Sequence, residues 1–390
     1  MKNQIIRQTA LLMFVLTVPA VAWAAPEGLT CTNYISVIAE SGLVIDEYNA
    51  DELRAPASMI KMILMLMVVE GLEDGRWSLD TEISISSDVE RIGGTQVYLK
   101  AGQTWPLEPL MKGIAIASAN DAAAAVAEGL WGSREEYLKA ANARARELGM
   151  LDTVVNSPHG LPPDEGQESD VTTARDMAIL ARACIDKPEI MAWVGMDEIK
   201  FQPGVEAKSN TNKLLAMVPG CDGLKTGYTR AAGFCLAATA VRDGIRIITV
   251  VMGCPKLSDR FISAQALLED GFAQTRRVRL LAKGDAIEPE LRVRNSKVPG
   301  VIPKAAEDIW VVARVSDFEN MEYVPNYPAT LHAPMTAGEE IGTLQVELAG
   351  HPIAEVPVLV PEDLEVPGWR WKLTHGVVER LRGSGVQYGG

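Results

Sequence analysis

The sequence predicts an α/β or α+β fold in which helices cover an antiparallel sheet, followed by a small all-β domain. Two features of the 390 residues lead to this prediction. Segments typical of strands, then helices, then strands again follow one another up to about residue 275. Beyond that point, alternating apolar and polar residues with frequent turn residues replace long helical periodicity. We therefore predict one domain over 25–275 and a β-rich domain over 276–364.

The elements of the first domain follow from the spacing of its apolar residues. Residues from about 30 to 50 alternate between apolar and polar, which indicates strands. The run from Ala57 to about Glu70 is apolar on most faces, which predicts a helix buried inside the domain. The turn Arg242-Asp243-Gly244 predicts a hairpin between two of the strands. The other predicted elements are helices over 107–117, 120–130, 134–149 and 174–186, and strands over 224–228, 232–241 and 245–253.

The first 24 residues have the pattern of a secretory signal peptide. Lys2 and Arg7 form a basic start, an apolar stretch over 10–18 follows, and Ala22-Trp23-Ala24 is a small-x-small cleavage site. The apolar stretch is short for a membrane span, which needs about 20 residues. We therefore expect export across the inner membrane into the periplasm.

The charge balance excludes one broad class of function. Lys and Arg total 37 and Asp and Glu total 51, which gives a formal net charge of −14. A general nucleic-acid-binding protein needs a basic face, so we expect no nucleic acid partner. The chain has 4 His, which disfavours histidine-rich metal sites and histidine-based catalysis. No metal or organic cofactor is implied.

The 5 cysteines show no zinc-binding spacing, and their odd number leaves at least one unpaired within the chain. Most of them stand among apolar residues, which favours buried small side chains. An oxidising compartment would permit a disulfide. The cysteines are Cys31, Cys184, Cys221, Cys235 and Cys254.

The C-terminal segment over 365–390 differs from the rest of the acidic chain. Trp369, Leu373, Val377 and Leu381 recur every four residues, and basic residues outnumber acidic ones around them. A basic amphipathic helix that carries a tryptophan indicates contact with an anionic membrane, here the outer face of the cytoplasmic membrane. The alternative is a helix packed on the second domain.

Ser58 and Lys61 stand three residues apart in the predicted buried helix. This spacing places both side chains on one face, one turn apart. Burial would strip the Lys61 ammonium of water and lower its pKa, so a neutral Lys61 could deprotonate Ser58. An isolated match of this kind is usually a solvated surface pair. A lysine in a helix that is apolar all round, however, needs a specific reason.

Two further polar triplets could reach the same cleft. Ser118-Ala119-Asn120 lies between two predicted helices, from which a hydroxyl and an amide could reach the nucleophile; helix capping is the alternative. Lys225-Thr226-Gly227 begins a predicted strand, and an exposed strand end is the alternative. There Lys225 would add positive potential and Thr226 a hydroxyl for a substrate carboxylate. Gly227 would let a substrate backbone approach the strand.

The three motifs together are far more specific than any one of them. S-x-x-K, an S-D-N type triplet and K-T-G occur in this order in β-lactamases and penicillin-binding proteins. Over about 30–275 the chain resembles the low-molecular-mass penicillin-binding proteins that are serine D-alanyl-D-alanine carboxypeptidases, peptidase family S11. The resemblance also rests on the segments 93–100, 116–123, 159–161, 172–177 and 222–229.

The resemblance implies a β-lactamase/transpeptidase-like catalytic domain and an acyl-enzyme mechanism. Ser58 would be the acylated nucleophile and Lys61 its general base. Ser118 would relay protons toward the leaving group, and Asn120 would hold the substrate amide and Lys61. Lys225 would tune the electrostatics.

The resemblance also implies the substrate and the residues that bind it. The substrates would be peptidoglycan pentapeptide stems, and β-lactam antibiotics would be covalent inhibitors. Thr226 and Arg260 would bind the terminal carboxylate. The backbone N–H groups of Ser58 and Tyr228 would form the oxyanion hole. Gly227 completes the predicted binding strand.

Several alternatives compete with this interpretation. A class A β-lactamase would carry E-x-x-x-N after the second motif, but Ser169 follows Glu165 and Thr172 follows Glu168 at that spacing. A histidine base would have to be His159, which stands in a Gly/Pro-rich loop and is better read as structural. A non-catalytic peptidoglycan-binding envelope protein would be expected to lose the motif residues. Endopeptidase or transpeptidase action on the same type of bond stays open.

Overall fold

The structure is a computed structural model that describes residues 26, 28–201, 206–369 and 371. The predicted signal peptide over 1–24 and most of the predicted amphipathic tail lie outside the described residues. In the part of the chain that is described, no helix is both long and apolar enough to cross a membrane.

The first domain is built on a five-stranded antiparallel sheet with the order β2-β1-β9-β8-β7. The predicted hairpin between β8 and β9 is confirmed, and Asp243 and Gly244 at its turn both have positive φ, as a tight turn of this hand requires. The strands of this domain are β1 (Asn33–Ile38), β2 (Val44–Tyr48), β3 (Glu82–Ser84), β4 (Thr104–Pro106), β5 (Glu198–Ile199), β6 (Lys208–Ser209), β7 (Cys221–Thr229), β8 (Gly233–Arg242) and β9 (Ile245–Cys254).

Helices cover both faces of this sheet. The predicted apolar helix begins as a 3-10 turn over Ala57–Ile60 and continues as an α-helix that is buried along almost its whole length. The helices are α1 (Lys61–Glu73), α2 (Ser87–Glu90), α3 (Leu107–Ile116), α4 (Asn120–Trp131), α5 (Arg134–Glu147), α6 (Ala174–Ile185), α7 (Pro188–Val194), α8 (Leu214–Met217) and α9 (Asp259–Gln274).

The period-two alternation of the central strands gives the domain two apolar layers. On β1, Ile35 and Val37 face a large cluster that contains α1, α3, α4 and α6. Tyr34 and Ile38 face a second cluster, which packs under α9. Because α1 lies in the centre of the larger layer, its all-round apolar composition is explained by neighbours on every side.

The sequence analysis did not predict α9. Its signal is an apolar stripe at Phe261, Ala264 and Leu268, spaced for one face of a helix. Gly271 weakens that pattern near the end of the helix, and a Cβ on it would lie 3.1 Å from the Ile247 side chain on β9, closer than ordinary van der Waals contact. Helix α9 leads directly into the second domain.

The second domain consists of strands, as predicted. They form a two-stranded sheet β10-β14, a three-stranded sheet β12-β11-β16 and a four-stranded sheet β13-β18-β17-β15. A 3-10 helix over Val315–Asn320 is the helical element among its described residues. The strands are β10 (Thr275–Leu281), β11 (Leu291–Arg294), β12 (Gly300–Val301), β13 (Lys304–Ala305), β14 (Ile309–Arg314), β15 (Met321–Asn326), β16 (Thr330–His332), β17 (Glu340–Leu348) and β18 (His351–Leu359).

Candidate active site

Ser58 lies on a short segment over 56–60 that we call the nucleophile turn. Ala57 adopts a left-handed conformation with φ of +48°, and a 3-10 turn then carries Ser58 toward the start of α1. Side chains three residues apart nearly eclipse one another in 3-10 geometry. Ser58 Oγ consequently lies 2.8 Å from Lys61 Nζ, with Ser58 half-buried and Lys61 fully buried.

Lys61 contacts three oxygens that come from three separate parts of the chain. Its Nζ donates hydrogen bonds to Asn120 Oδ1 at 2.7 Å and to the backbone oxygen of His159 at 2.6 Å, and it lies beside Ser58 Oγ. Burial lowers the pKa of Lys61 well below its ordinary value, and the nearby charge of Lys225 lowers it further. The predicted neutral lysine beside Ser58 thus has a physical cause.

Ser118 and Asn120 flank the junction between α3 and α4. Ser118 has φ of +61°, which turns the chain between the two helices, and its Oγ accepts a hydrogen bond from Lys225 Nζ at 2.8 Å. Asn120 uses both ends of its amide, because its Nδ2 donates to the Gly93 backbone oxygen at 2.9 Å. Neither side chain caps α4, whose start has no side-chain hydrogen bond. The structure therefore turns both polar groups toward the predicted cleft.

Strand β7 places the third motif against the nucleophile turn. Lys225 is buried, and burial together with the charge of Arg260 lowers its pKa to about 7. The Thr226 hydroxyl donates to the hydroxyl of Thr211 at 2.8 Å. A Cβ on Gly227 would lie 2.7 Å from the backbone oxygen of Pro56. Glycine is thus required here by the protein's own turn, a reason that the sequence analysis did not identify.

Arg260 and Tyr228 border the same strand. Arg260 is buried, its Nη1 donates to the backbone oxygen of Gly227 at 3.1 Å, and burial lowers its pKa to about 10. Its guanidinium lies 4.7 Å from the ring centre of Phe261. Tyr228 is 54% exposed and stacks on Phe234 with 4.1 Å between ring centres. The structure brings the predicted site residues together from the nucleophile turn, the start of α1, the α3–α4 junction, β7 and the start of α9.

The loop over 156–170 supplies contacts that sequence reasoning missed. The Asp170 carboxylate accepts hydrogen bonds from the backbone N–H groups of Asn156 and Ser157 and from the Ser157 hydroxyl. Ser157 Oγ in turn accepts from the Gly160 N–H at 2.8 Å. This network shapes the loop so that the His159 carbonyl faces Lys61. Burial raises the pKa of Asp170 above its ordinary value.

His159 acts through its backbone and not through its ring. The imidazole Nδ1 accepts a hydrogen bond from the Leu161 N–H at 3.2 Å, and burial lowers the pKa of the ring to about 3. The ring makes no hydrogen bond to Ser58, whose hydroxyl lies 3.4 Å from the His159 carbonyl. These contacts agree with the prediction that this histidine is structural.

A second support fixes the segment over 93–99 beside Asn120. The Asp121 carboxylate accepts hydrogen bonds from the backbone N–H groups of Val97 and Leu99, and the Asn120 N–H donates to the Thr95 carbonyl. Because these contacts are made to backbone groups of 95–99, no sequence motif predicts them. Asp121 itself stands in a segment that carried the resemblance. Among the described residues, no group of three His, Cys, Asp or Glu could hold a metal.

Comparison with known proteins agrees with this geometry. Residues 20–256 match the model of the D-alanyl-D-alanine carboxypeptidase family, peptidase S11, and residues 276–366 match the C-terminal domain of penicillin-binding protein 5. The D-alanyl-D-alanine carboxypeptidase DacF of Bacillus subtilis is 32% identical over 334 residues, 85% of each chain.

Solved structures show the same likeness. Penicillin-binding protein 5 from Haemophilus influenzae is 27% identical with a TM-score of 0.71, over 88% of this chain and 100% of that one. Penicillin-binding protein D2 from Listeria monocytogenes in its ampicillin-bound form is 29% identical with a TM-score of 0.58, over 63% and 99%. The chain therefore belongs to the peptidase S11 family of serine-type D-alanyl-D-alanine carboxypeptidases, the low-molecular-mass penicillin-binding proteins.

Proposed function

We propose that this protein removes the terminal D-alanine from peptidoglycan pentapeptide stems through an acyl-enzyme on Ser58. The observation that carries the proposal is the set of three oxygens around Lys61 Nζ. A neutral amine has two N–H donors and one lone pair. Asn120 Oδ1 and the His159 carbonyl can only accept, so they take the two donors. The lone pair is then left to accept the proton of Ser58.

Acylation follows from this arrangement. Lys61 takes the Ser58 proton as Ser58 Oγ attacks the carbonyl of the penultimate D-alanine. The backbone N–H groups of Ser58 and Tyr228 would stabilise the oxyanion. Lys61 then passes this proton to Ser118, which Lys225 holds at 2.8 Å, as Ser118 gives its own proton to the departing amine of the terminal D-alanine; Lys61 is neutral again and Ser118 is restored. Water then hydrolyses the ester with Lys61 again as the base.

The positive side of the site suits a substrate with a free terminal carboxylate. Thr226, Lys225 and Arg260 converge along β7, and Thr226 offers its hydroxyl. The guanidinium of Arg260 stays charged at neutral pH even though burial lowers its pKa to about 10. A carboxylate placed there would orient the scissile bond over Ser58. β-Lactams carry a comparable carboxylate, and the ampicillin-bound relative supports penicillin as a covalent inhibitor of Ser58.

The Ser58→Ala variant tests the mechanism. We expect it to lose both labelling by fluorescent penicillin and release of D-alanine from a peptide ending in D-Ala-D-Ala. The matched control is Ser169→Ala, because Ser169 is an exposed serine of the neighbouring loop. Mass analysis of the products separates free D-alanine from a dimeric transpeptidation product. Normal turnover by Ser58→Ala would contradict the proposed mechanism.

We further propose that the protein works in the periplasm, attached peripherally to the outer face of the cytoplasmic membrane. The signal-like start and the basic, tryptophan-bearing end of the sequence support this location. Trp369 is 68% exposed, as an anchor residue would have to be. Deleting 366–390 should move the protein into the soluble fraction while kcat/KM on a soluble peptide is unchanged. Anchoring is refuted when the intact protein already fractionates as soluble.

A further inference from the structure

Cys31 and Cys254 meet at one end of the β1–β9 strand pair. The pairing of these strands ends at Asn33 and Met252, and each cysteine lies two residues beyond that pair. Gly253 has φ of +70°, which no other residue adopts so readily. Beyond this glycine the strand changes face, because Met252 packs in the cluster around α1 while Cys254 packs in the cluster under α9 with Cys31.

The two cysteines are neighbours across the strand pair. The strands still lie side by side at Thr32 and Gly253, because the Thr32 N–H donates to the Met252 carbonyl at 3.0 Å and a Cβ on Gly253 would overlap the Thr32 side chain. Both cysteine side chains are buried in the cluster under α9. The neighbouring Cys254 side chain lowers the pKa of Cys31 against the opposing effect of burial, whereas the Cys31 side chain raises the pKa of Cys254. Cys31 is the more exposed of the two, at 8% against 0%. The pair therefore combines a thiol with a lowered pKa, nearer the surface, with a more deeply buried thiol whose pKa is raised.

The other cysteines are occupied elsewhere. Cys184 donates to the Met62 carbonyl at 3.7 Å, Cys221 to the Gly223 carbonyl at 3.6 Å and Cys235 to the Ala232 carbonyl at 3.5 Å. Cys235 also packs in the cluster on the opposite face of the sheet from Cys31 and Cys254. A backbone carbonyl accepts a hydrogen bond from each of these three thiols.

We propose that Cys31 and Cys254 form a disulfide bond in the exported protein. This inference rests on the proposed periplasmic location, because disulfides persist in oxidising compartments and are reduced in the cytosol. It is independent of the reaction at Ser58. The bond would tie the start of β1 to the end of β9, immediately before the segment that carries Arg260.

The oxidant is a disulfide donor, either a disulfide-bonded oxidoreductase or oxidised glutathione. The Cys31 thiolate attacks one sulfur of the donor disulfide, which breaks that bond and releases the first donor thiolate. Cys254 then loses its proton and attacks the Cys31 sulfur of the mixed disulfide, which releases the second donor thiolate. The two protons and two electrons lost by the cysteines leave the donor as a dithiol.

Thiol blocking on the full-length exported protein tests the proposal. The protein is denatured in iodoacetamide and its mass is measured before and after reduction. We expect three of the 5 cysteines to be alkylated without reduction and all of them after it. A digest should contain one cross-linked peptide pair, joining Cys31 to Cys254. Alkylation of all cysteines without reduction, or a cross-link to Cys184, Cys221 or Cys235, overturns the proposal.

Cysteine variants test whether Cys31 and Cys254 are the paired residues, and re-oxidation in vitro tests whether the periplasmic location is needed for the bond. In Cys31→Ser the remaining cysteines should all be alkylated, whereas Cys184→Ser should keep the cross-link. Reductant should lower the melting temperature of the wild type and of Cys184→Ser but not of Cys31→Ser, since a cross-link restricts the unfolded chain. Oxidised glutathione added to reduced, folded protein should restore the bond. Restoration in vitro without a bond in the exported protein would refute the periplasmic part of the proposal, and failure of both would refute the pairing.

Discussion

At the residue scale, the two buried lysines of the site are distinguished by their partners. Lys61 lies among three oxygens and is oriented toward Ser58, whereas Lys225 donates to Ser118 Oγ and to the Thr226 carbonyl. Burial lowers the pKa of both, and the charge of Lys225 adds to the effect on Lys61. Two like charges in one buried site disfavour each other, so the proton that Lys225 holds helps to keep Lys61 neutral.

This coupling predicts a shift in the pH dependence of acylation. The rate of penicillin acylation should fall as the pH falls through the pKa of Lys61, because protonation removes the lone pair that accepts the Ser58 proton. Below about pH 7 Lys225 is charged. Lys225→Met removes that charge, raises the pKa of Lys61 and should move the acidic limb to higher pH. The rate is measured with fluorescent penicillin from about pH 5 to pH 8.

The pH at which the acylation rate falls is the quantity that tests the coupling, because Lys225→Met should also lower the rate at every pH. The matched control is Lys213→Met, in which an exposed lysine close to the same strand is replaced. It should leave the profile in place. A limb that stays fixed or moves to lower pH in Lys225→Met would contradict the proposed coupling.

At the scale of elements, the site depends on how closely the loop over 156–170 packs on the nucleophile turn. Gly160 has φ of +79°, and a Cβ on it would lie 2.1 Å from the Ala57 carbonyl oxygen. Gly166, in the same loop, has φ of +86° with nothing within 4 Å of its Cβ position. The two glycines share a conformation that disfavours other residues, but only Gly160 is in tight contact.

This contrast predicts different outcomes for two alanine variants. Gly160→Ala should push the His159 carbonyl away from Lys61 and slow acylation by about a hundredfold, the cost of a misplacement of roughly 1 Å. Gly166→Ala should cost about 1 kcal/mol of stability from backbone strain alone and acylate normally. Acylation kinetics and urea unfolding measure the two effects. Equal acylation rates in both variants would show that the loop does not position the base.

At the scale of the whole molecule, apolar contacts join the two domains. Val312 of β14 belongs to the cluster under α9, although its strand is part of the second domain. Leu43, between β1 and β2, packs against that cluster and against the core of the second domain. The domains therefore share a continuous apolar contact, and we expect them to unfold as one unit.

Placing a charge in that contact should separate the two domains thermodynamically. Val312→Asp buries a carboxylate without a partner, which is strongly unfavourable. Calorimetry should then show two unfolding transitions where the wild type shows one. Val315→Asp is the control, since Val315 is 42% exposed just beyond the same strand. Penicillin acylation at 25 °C should be unchanged in both variants. A single transition in Val312→Asp would refute the coupling.

The sequence was most informative where side chains carry the chemistry. Ser58, Lys61, Ser118, Asn120 and Lys225 stand in short motifs, and the buried helix behind the first motif follows from its composition alone. The partners that align them were not predictable in the same way. The acceptors for Lys61 and Asn120 include backbone carbonyls from distant segments, and a peptide group is identical in every residue. Helix α9 was not predicted, although Phe261, Ala264 and Leu268 carry its apolar stripe.

The carbonyl of His159 that receives a hydrogen bond from Lys61 has an evolutionary consequence. A substitution at position 159 cannot remove a peptide oxygen. The contact therefore depends on the path of the main chain and not on the identity of the side chain. Drift at that position is tolerated as long as the path is kept. Loss of this one contact must then come through loop insertions, deletions or altered neighbours such as Gly160, whereas the Asn120 contact to Lys61 can be lost by a substitution of Asn120 itself.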